Sequence, residues 1–324
     1  MSGVVALDTF DPEGTKYMRQ IFPDVIEPGH HSHASWPDHA IGLFVAKSKV
    51  TAGVIGRTKK LKFIVRHGAG YDNIDAEACR EKGIVLCNLP GISASKDAMN
   101  VAEVALALVS ACSKNLVEVA RQIRGGEKLN KKFKSLYSAT LLTGKTFGIV
   151  GGGRIGQLTA KKYIGAFDGK IVMYDPYIPT DGSGPWGKIP HERATSIEEL
   201  APRVDVLSLH VPLLPTTKNL ITLPILKSMK PTAILINVAR GGVVDEEALW
   251  VALRKGMIAS AGVDAWVSEP PTKEVYGDVL DLENLVISPH IGGSPAEIQT
   301  ATCVSMVDHM KELIDGKPPR DRVA

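Results

Sequence analysis

Thr146-Phe147-Gly148-Ile149-Val150-Gly151-Gly152-Gly153-Arg154-Ile155-Gly156 opens the stretch that decides the fold, and Lys170-Ile171-Val172-Met173-Tyr174-Asp175 closes it. The first run reads as a strand over 146–150, followed by a glycine turn. A helix is expected at about 157–164 and a second strand at 170–174, with Asp175 at its end. Gly151 allows a tight turn. Gly153 lets the backbone approach a pyrophosphate, and Gly156 lets the helix pack closely on the strand. The helix start at Arg154 and Ile155 presents unpaired N–H groups suited to phosphate. Asp175 stands 19 residues beyond Gly156, where a carboxylate accepts hydrogen bonds from both ribose hydroxyls of NAD and repels the extra phosphate of NADP. A glycine-rich turn that binds nothing would leave the acid unexplained.

The rhythm continues on both sides of this unit. Upstream, apolar runs at 4–7, 41–45, 63–65 and 84–86 read as strands, and 13–21 and 76–82 as helices. That alternation predicts a small α/β unit with a parallel sheet. A long apolar helix is expected at about 101–115, and Gly125-Gly126 interrupts the next one. Downstream, strands are expected at 204–209, 233–236, 260–263 and 285–287. They run into His210, Asn237, Asp264 and Ser288-Pro289-His290. A buried parallel strand has no structural need for a polar ending, and in open α/β sheets ligands bind at that edge. A final helix over about 294–314 completes the pattern.

Three further strings carry chemistry: Asn237-Val238-Ala239-Arg240-Gly241-Gly242, Asp264-Ala265-Trp266-Val267-Ser268-Glu269-Pro270, and Ser288-Pro289-His290-Ile291-Gly292-Gly293. Upstream stands Arg66-His67-Gly68-Ala69-Gly70-Tyr71-Asp72-Asn73-Ile74-Asp75. Together with the glycine turn, and in this order, they resemble the D-isomer-specific 2-hydroxyacid dehydrogenase family over about residues 40–316. The resemblance implies a two-domain α/β fold: a Rossmann-type NAD-binding domain (99–290) inserted in a discontinuous flavodoxin-like substrate domain (1–98 and 291–324). It also implies a homodimer and reversible reduction of a small 2-keto acid to its D-2-hydroxy acid by NAD(P)H, and Asp175 selects NAD as the cofactor.

The same resemblance assigns roles. Reducing a ketone builds negative charge on its oxygen, and His290 is the expected proton donor because imidazole titrates near working pH. Glu269 would orient its ring. Arg240 offers a planar fork of donors to the substrate carboxylate, and Ala69 and Gly70 offer backbone N–H groups to it. Asp264 is expected to bind the nicotinamide carboxamide. His210, Val211, Pro212 and Thr217 match the cofactor-lining loop, with Val238, Ala239 and Gly292 beside it. Taken singly, Arg240 has a weaker reading as a surface residue, Glu269 and Asp264 as turn acids, and His290 as a helix cap. Those separate readings do not account for the ordered set.

Composition narrows the alternatives. The chain has 324 residues, 44% of them hydrophobic, and a net charge of +3, which fits about two globular domains. The basic residues are scattered apart from short runs at Lys59, Lys60, Lys62 and at Lys128, Lys131, Lys132, Lys134. Solvated faces explain those runs, and no nucleic-acid partner is expected. No apolar run reaches membrane-span length, and 1–5 lack signal-peptide features. Cys79, Cys87, Cys112 and Cys303 are widely spaced, which fits reduced thiols, a cytoplasmic location and no metal site. His30, His31, His33 and His39 read as an exposed loop, and Trp266 as a packing or subunit-surface residue.

The chain departs from the family pattern in two places. Nine residues (92–100) stand where the family has about five, close to the interdomain cleft in relatives. The family's phosphate-binding loop reads here Val45-Ala46-Lys47-Ser48-Lys49, and its lysines attract acidic substrates only as point charges. No regulatory domain is expected after residue 324. A D-3-phosphoglycerate dehydrogenase therefore stays open as an alternative below a reductase of smaller 2-keto acids. An NAD-sensing, corepressor-like binding protein is the alternative from another class.

Overall fold

The computed structural model describes residues 3–89, 93–126, 140–179, 181 and 183–324, without the side chains of 93–97. Pro90, Gly91, Ile92 and the run Lys128, Lys131, Lys132, Lys134 lie outside the described residues. The chain divides into two compact units, Met1–Asp97 with Gly293–Ala324 and Ala98–Gly292.

The first unit holds four parallel strands, β1 (Val4–Ala6), β2 (Gly42–Val45), β3 (Phe63–Arg66) and β4 (Val85–Cys87), side by side in chain order. Ile26 extends the sheet beyond β1: its carbonyl accepts from Ala6 N at 2.8 Å and its N–H donates to Val4 O at 3.1 Å. Counted with Ile26 as the second strand along the chain, the order is 2-1-3-4-5, the flavodoxin-like arrangement. Arg322 pairs antiparallel with Cys87 at the other edge and blunts it. Val4 and Val5 of β1 and Leu43, Phe44 and Val45 of β2 are fully buried, as expected of strands covered on both faces. One cover is the last long helix, Ala296–Ile314, whose Cys303, Met306, Val307 and Met310 share a core with Val4, Phe44 and Val65. Gly42 makes that approach possible, since a Cβ there would lie 2.6 Å from the sulfur of Met310.

The second unit is a seven-stranded parallel sheet of β5 (Thr146–Val150), β6 (Lys170–Tyr174), β7 (Glu192–Arg193), β8 (Val206–Leu209), β9 (Ile234–Asn237), β10 (Ser260–Val263) and β11 (Leu285–Ile287). Its order is β11-β10-β9-β8-β5-β6-β7. Numbered within the unit, this is 3-2-1-4-5-6 with a seventh strand added, the dinucleotide-binding arrangement. The connections reverse direction between β5 and β8, so Gly151 and His210, which follow those strands, flank the crevice at the reversal.

Several element boundaries differ from the sequence reading. The helix after the glycine turn spans Arg154–Phe167, longer at both ends than 157–164. The long apolar helix is Ser93–Ser113 rather than 101–115. Residues 93–100 of the extra segment are therefore helix. Asn115, at φ 46°, begins a separate helix, Leu116–Arg124, which Gly125 and Gly126 terminate rather than interrupt. The two-residue β7 carries too little hydrophobic signal to be expected. Among the described residues no single helix is long and apolar enough to cross a membrane. No group of three or more His, Cys, Asp or Glu side chains among them is placed to hold a metal.

Candidate active site

The glycine turn is built as its spacing requires. Gly151 has φ +98°, and a Cβ there would lie 2.7 Å from His210 O and 2.9 Å from a Val211 methyl. A Cβ on Gly156 would lie 2.2 Å from Gly151 O, so helix and strand touch backbone to backbone. Gly153 differs: a Cβ there would meet no protein atom within 4 Å. Its bareness serves no internal packing and leaves open the approach to the start of the helix at Arg154. Asp175 accepts hydrogen bonds from Gly152 N and Tyr177 N, each at 2.8 Å. These contacts hold a carboxylate at the glycine turn. Trp186 completes the frame. It is 2% exposed and donates from Nε1 to Gly152 O at 2.6 Å. No local pattern marks it, because it lies 34 positions from its partner.

His210 lies across the reversal from the turn. Its Nε2 is 3.0 Å from Ser208 Oγ, and burial pushes the imidazole down to about 3, so the ring is neutral at working pH. Val211 packs against Gly151. Thr217 turns its hydroxyl inward, donating to Pro212 O at 2.6 Å and accepting from Leu214 N at 2.8 Å, so in this structure it shapes the loop.

Arg240, Glu269 and His290 come from three separate loops after β9, β10 and β11. His290 Nδ1 is 2.8 Å from Glu269 Oε1. An ionised carboxylate only accepts, so Nδ1 is the donor and Nε2 is the ring nitrogen left for proton exchange. Burial alone would raise the Glu269 carboxyl. The hydrogen bond and charge of His290, the amide of Trp266 and the charge of Arg240 outweigh it and hold the group below its ordinary value. Glu269 thus bonds one expected catalytic partner and feels the charge of the other.

The surrounding contacts show why the loops hold this shape. Asn237, 3% exposed, ends β9 and donates to both Arg240 O and Ala265 O at 3.1 Å, tying the Arg240 turn to the Glu269 loop. It also accepts from the N–H of the buried Ala239, beside the buried Val238. A Cβ on Gly241 would lie 2.0 Å from the backbone of Trp266, so the two loops touch main chain to main chain. Trp266 is buried, stacks on Trp250, and donates to Ser288 O at 2.9 Å. It is a packing residue that binds the Glu269 loop to the end of β11.

Asp264 is 2% exposed and accepts from Ser288 Oγ at 2.6 Å, Ile291 N at 2.9 Å and Gly292 N at 3.2 Å. The sequence reading gave it a cofactor contact. In the structure its carboxylate clamps the residues on both sides of His290. The clamp accounts for an unusual backbone: His290 has φ +61°, a left-handed conformation that non-glycine residues seldom adopt.

Ala69 and Gly70 lie in the first unit, after β3. The loop carbonyls are anchored by Asn88 Nδ2 to Ala69 O at 2.5 Å and Leu89 N to Gly68 O at 3.0 Å. Of the histidine cluster, His30 and His31 are exposed, as expected of a loop. His33–Ser35 and Trp36–His39 instead form short helical turns.

Comparison with known proteins places this architecture. Residues 106–292 match the model of the NAD binding domain of the D-isomer specific 2-hydroxyacid dehydrogenases. The chain belongs to that family. It is 40% identical to the hydroxypyruvate reductase of Thermotoga maritima over 279 residues, 86% of each chain. It is 39% identical to the D-3-phosphoglycerate dehydrogenase of Methanocaldococcus jannaschii over 270 residues, 83% of this chain. It spans about half the length of that enzyme, 49%. The D-lactate dehydrogenase of Aquifex aeolicus, solved with NAD and lactic acid, superposes with a TM-score of 0.81 at 25% identity, covering 97% of this chain and 95% of that one.

Proposed function

We propose that this protein is an NAD-dependent oxidoreductase that interconverts a small 2-keto acid and its D-2-hydroxy acid. The observation that carries the reading is the 2.8 Å pair of Glu269 and His290 with Arg240 close enough for its charge to act on Glu269. The nicotinamide supplies the hydride when bound. Gly153 and the helix start at Arg154 and Ile155, in the turn that Gly151 and Gly156 shape, would hold the pyrophosphate, and Asp175 would take the ribose hydroxyls. Arg240 grips the substrate carboxylate with its planar fork. As hydride reaches the carbonyl carbon, the oxygen takes the proton from His290 Nε2, and Glu269 stabilises the ring at Nδ1. The alcohol leaves with both electrons and the proton, and the reverse reaction retraces the path.

The substrate favoured is an unphosphorylated 2-keto acid of the size of hydroxypyruvate or glyoxylate. The named relative matched over most of both chains is a hydroxypyruvate reductase, and the loop after β2 offers only point charges to a phosphate. A cytoplasmic homodimer is part of the same reading. The test is NADH oxidation with glyoxylate, hydroxypyruvate, pyruvate, 2-ketogluconate and phosphohydroxypyruvate. Turnover is expected with at least one unphosphorylated acid. Folded protein that binds NADH and turns over none of the panel would overturn the proposal.

A further inference from the structure

We infer that Glu246 and Tyr276 are positioning residues for the proposed reduction: together they fix the loop that aims Glu269 at His290. The inference rests on the reading of Glu269 given above. The loop leaves β10 at Asp264 and reaches Glu269 five residues on. Beyond the strand its N–H groups have no ladder to join, and each needs an acceptor of its own. Three successive amides find one in a side chain: Trp266 N donates to Glu269 Oε1 at 3.1 Å, Val267 N to Glu246 Oε1 at 2.8 Å, and Ser268 N to Tyr276 Oη at 2.8 Å. The first of these bonds turns the Glu269 carboxylate, since the same oxygen meets His290 Nδ1 at 2.8 Å. The next two amides carry the chain from that bond to Glu269 itself, and both are held from outside the loop. The Val267 side chain is 64% exposed, so hydrogen bonds rather than packing hold this part of the chain.

Two elements deliver the anchors. Glu246 stands in the first turn of the helix Glu246–Arg254, where the macrodipole favours its charge. Trp250, one turn on, stacks on Trp266 with ring centroids 6.1 Å apart. One face of this helix therefore holds the loop by a carboxylate and an indole. Tyr276 ends the short helix Lys273–Tyr276. Its ring meets Trp266 at 5.0 Å and Trp250 at 6.4 Å, both edge to face, and this packing fixes the hydroxyl. That hydroxyl also donates to Ser268 O at 3.3 Å, so both backbone polar groups of Ser268 are tied to one side chain. Burial, with the charges of Glu246 and Glu269, pushes the Tyr276 hydroxyl up to about 12. It keeps its proton and can donate and accept at once. Burial also raises the Glu246 carboxyl, while the Val267 amide and the Tyr276 hydroxyl favour its charge.

The test is steady-state NADH oxidation by Tyr276→Phe, which keeps the ring and removes only the oxygen, and by Glu246→Ala and Glu246→Gln. Each is also made in a Glu269→Ala background. Tyr276→Phe and Glu246→Ala should lower kcat about three- to tenfold, the size of one hydrogen bond. KM for the keto acid and NADH affinity should stay within about twofold of wild type, because the carboxylate grip is untouched. Glu246→Gln keeps an acceptor for Val267 N and should restore most of the loss. With Glu269 already removed there is no carboxylate left to aim, so the same substitutions should cost nothing further. Hydrogen exchange at the Val267 and Ser268 amides should quicken in Glu246→Ala and Tyr276→Phe respectively, and it reads the loop without turnover.

Wild-type kcat in folded Tyr276→Phe and Glu246→Ala would overturn the inference. So would losses that add in full to that of Glu269→Ala, which would mark a general stabilising role. If Glu246→Ala fails to fold, Tyr276→Phe decides. A wild-type protein inactive on every keto acid would instead count against the reading of the reaction, and unchanged exchange at both amides would overturn the anchoring even then.

Discussion

Glu269→Gln separates charge from shape at the centre of the site. The amide oxygen of glutamine still accepts a hydrogen bond at the same place, but the negative charge 2.8 Å from His290 Nδ1 is gone. A hydrogen bond to a charged partner contributes about 1.5–3 kcal/mol. Both side chains are 37% exposed, so water screens the pair and the lower end of that range applies. With about 1.4 kcal/mol per factor of ten, kcat/KM for the 2-keto acid should fall about ten- to thirtyfold. The loss should appear in kcat, because Glu269 acts on the proton donor and not on the carboxylate grip. The assay is steady-state NADH oxidation over a range of keto acid concentrations, with NADH affinity measured by fluorescence. A folded Glu269→Gln variant with wild-type kcat would refute the reasoning that the charge supports the ring.

Four other outcomes follow. Asp175→Ser removes the carboxylate held by Gly152 N and Tyr177 N, and the preference for NADH over NADPH in kcat/KM should fall at least about tenfold; an unchanged ratio would remove Asp175 from cofactor selection. Gly241→Ala forces a Cβ to within 2.0 Å of the Trp266 backbone, so the second unit should lose about 1–3 kcal/mol of stability, and an unshifted melting temperature would contradict the contact. Asp264→Asn leaves one loop amide facing an NH2 group and should destabilise by about 1–3 kcal/mol, with kcat reduced as His290 loses its clamp; urea unfolding and kinetics check both. Burial lowers His67 from 6.5 to about 4 and His210 from 6.5 to about 3. The unfolded chain therefore takes up protons first as pH falls, and stability should drop between pH about 6.5 and about 4 through both rings and below that through His210 alone. Urea midpoints at pH 7 and pH 5 test this, and His67→Phe should flatten part of the dependence.

The parts legible in the sequence are those fixed by local rules. The βαβ unit was readable because each glycine answers a nearby steric demand, and the strand runs because buried parallel strands are apolar throughout. Arg240, Glu269 and His290 were readable as ordered strings, and the structure brings Glu269 and His290 into contact. What could not be read are contacts between residues far apart in the chain. Trp186 under the glycine turn, Asn237 joining two loops and Asp264 clamping the left-handed His290 all depend on which strand ends become neighbours. The family resemblance assigns Asp264 a cofactor contact, and it carries no sign of the three protein donors that the structure places around the carboxylate. The early start of the helix Ser93–Ser113 was missed because its first turns carry Ser, Lys, Asp and Asn without an apolar period.

The most direct measurement is the reductase activity of His290→Ala beside its affinity for NADH. Loss of the proton donor should lower kcat by about 10²–10⁴-fold while NADH binds as tightly as to the wild-type protein. Turnover at the wild-type rate by the variant would contradict the assignment of His290 as the group that delivers the proton.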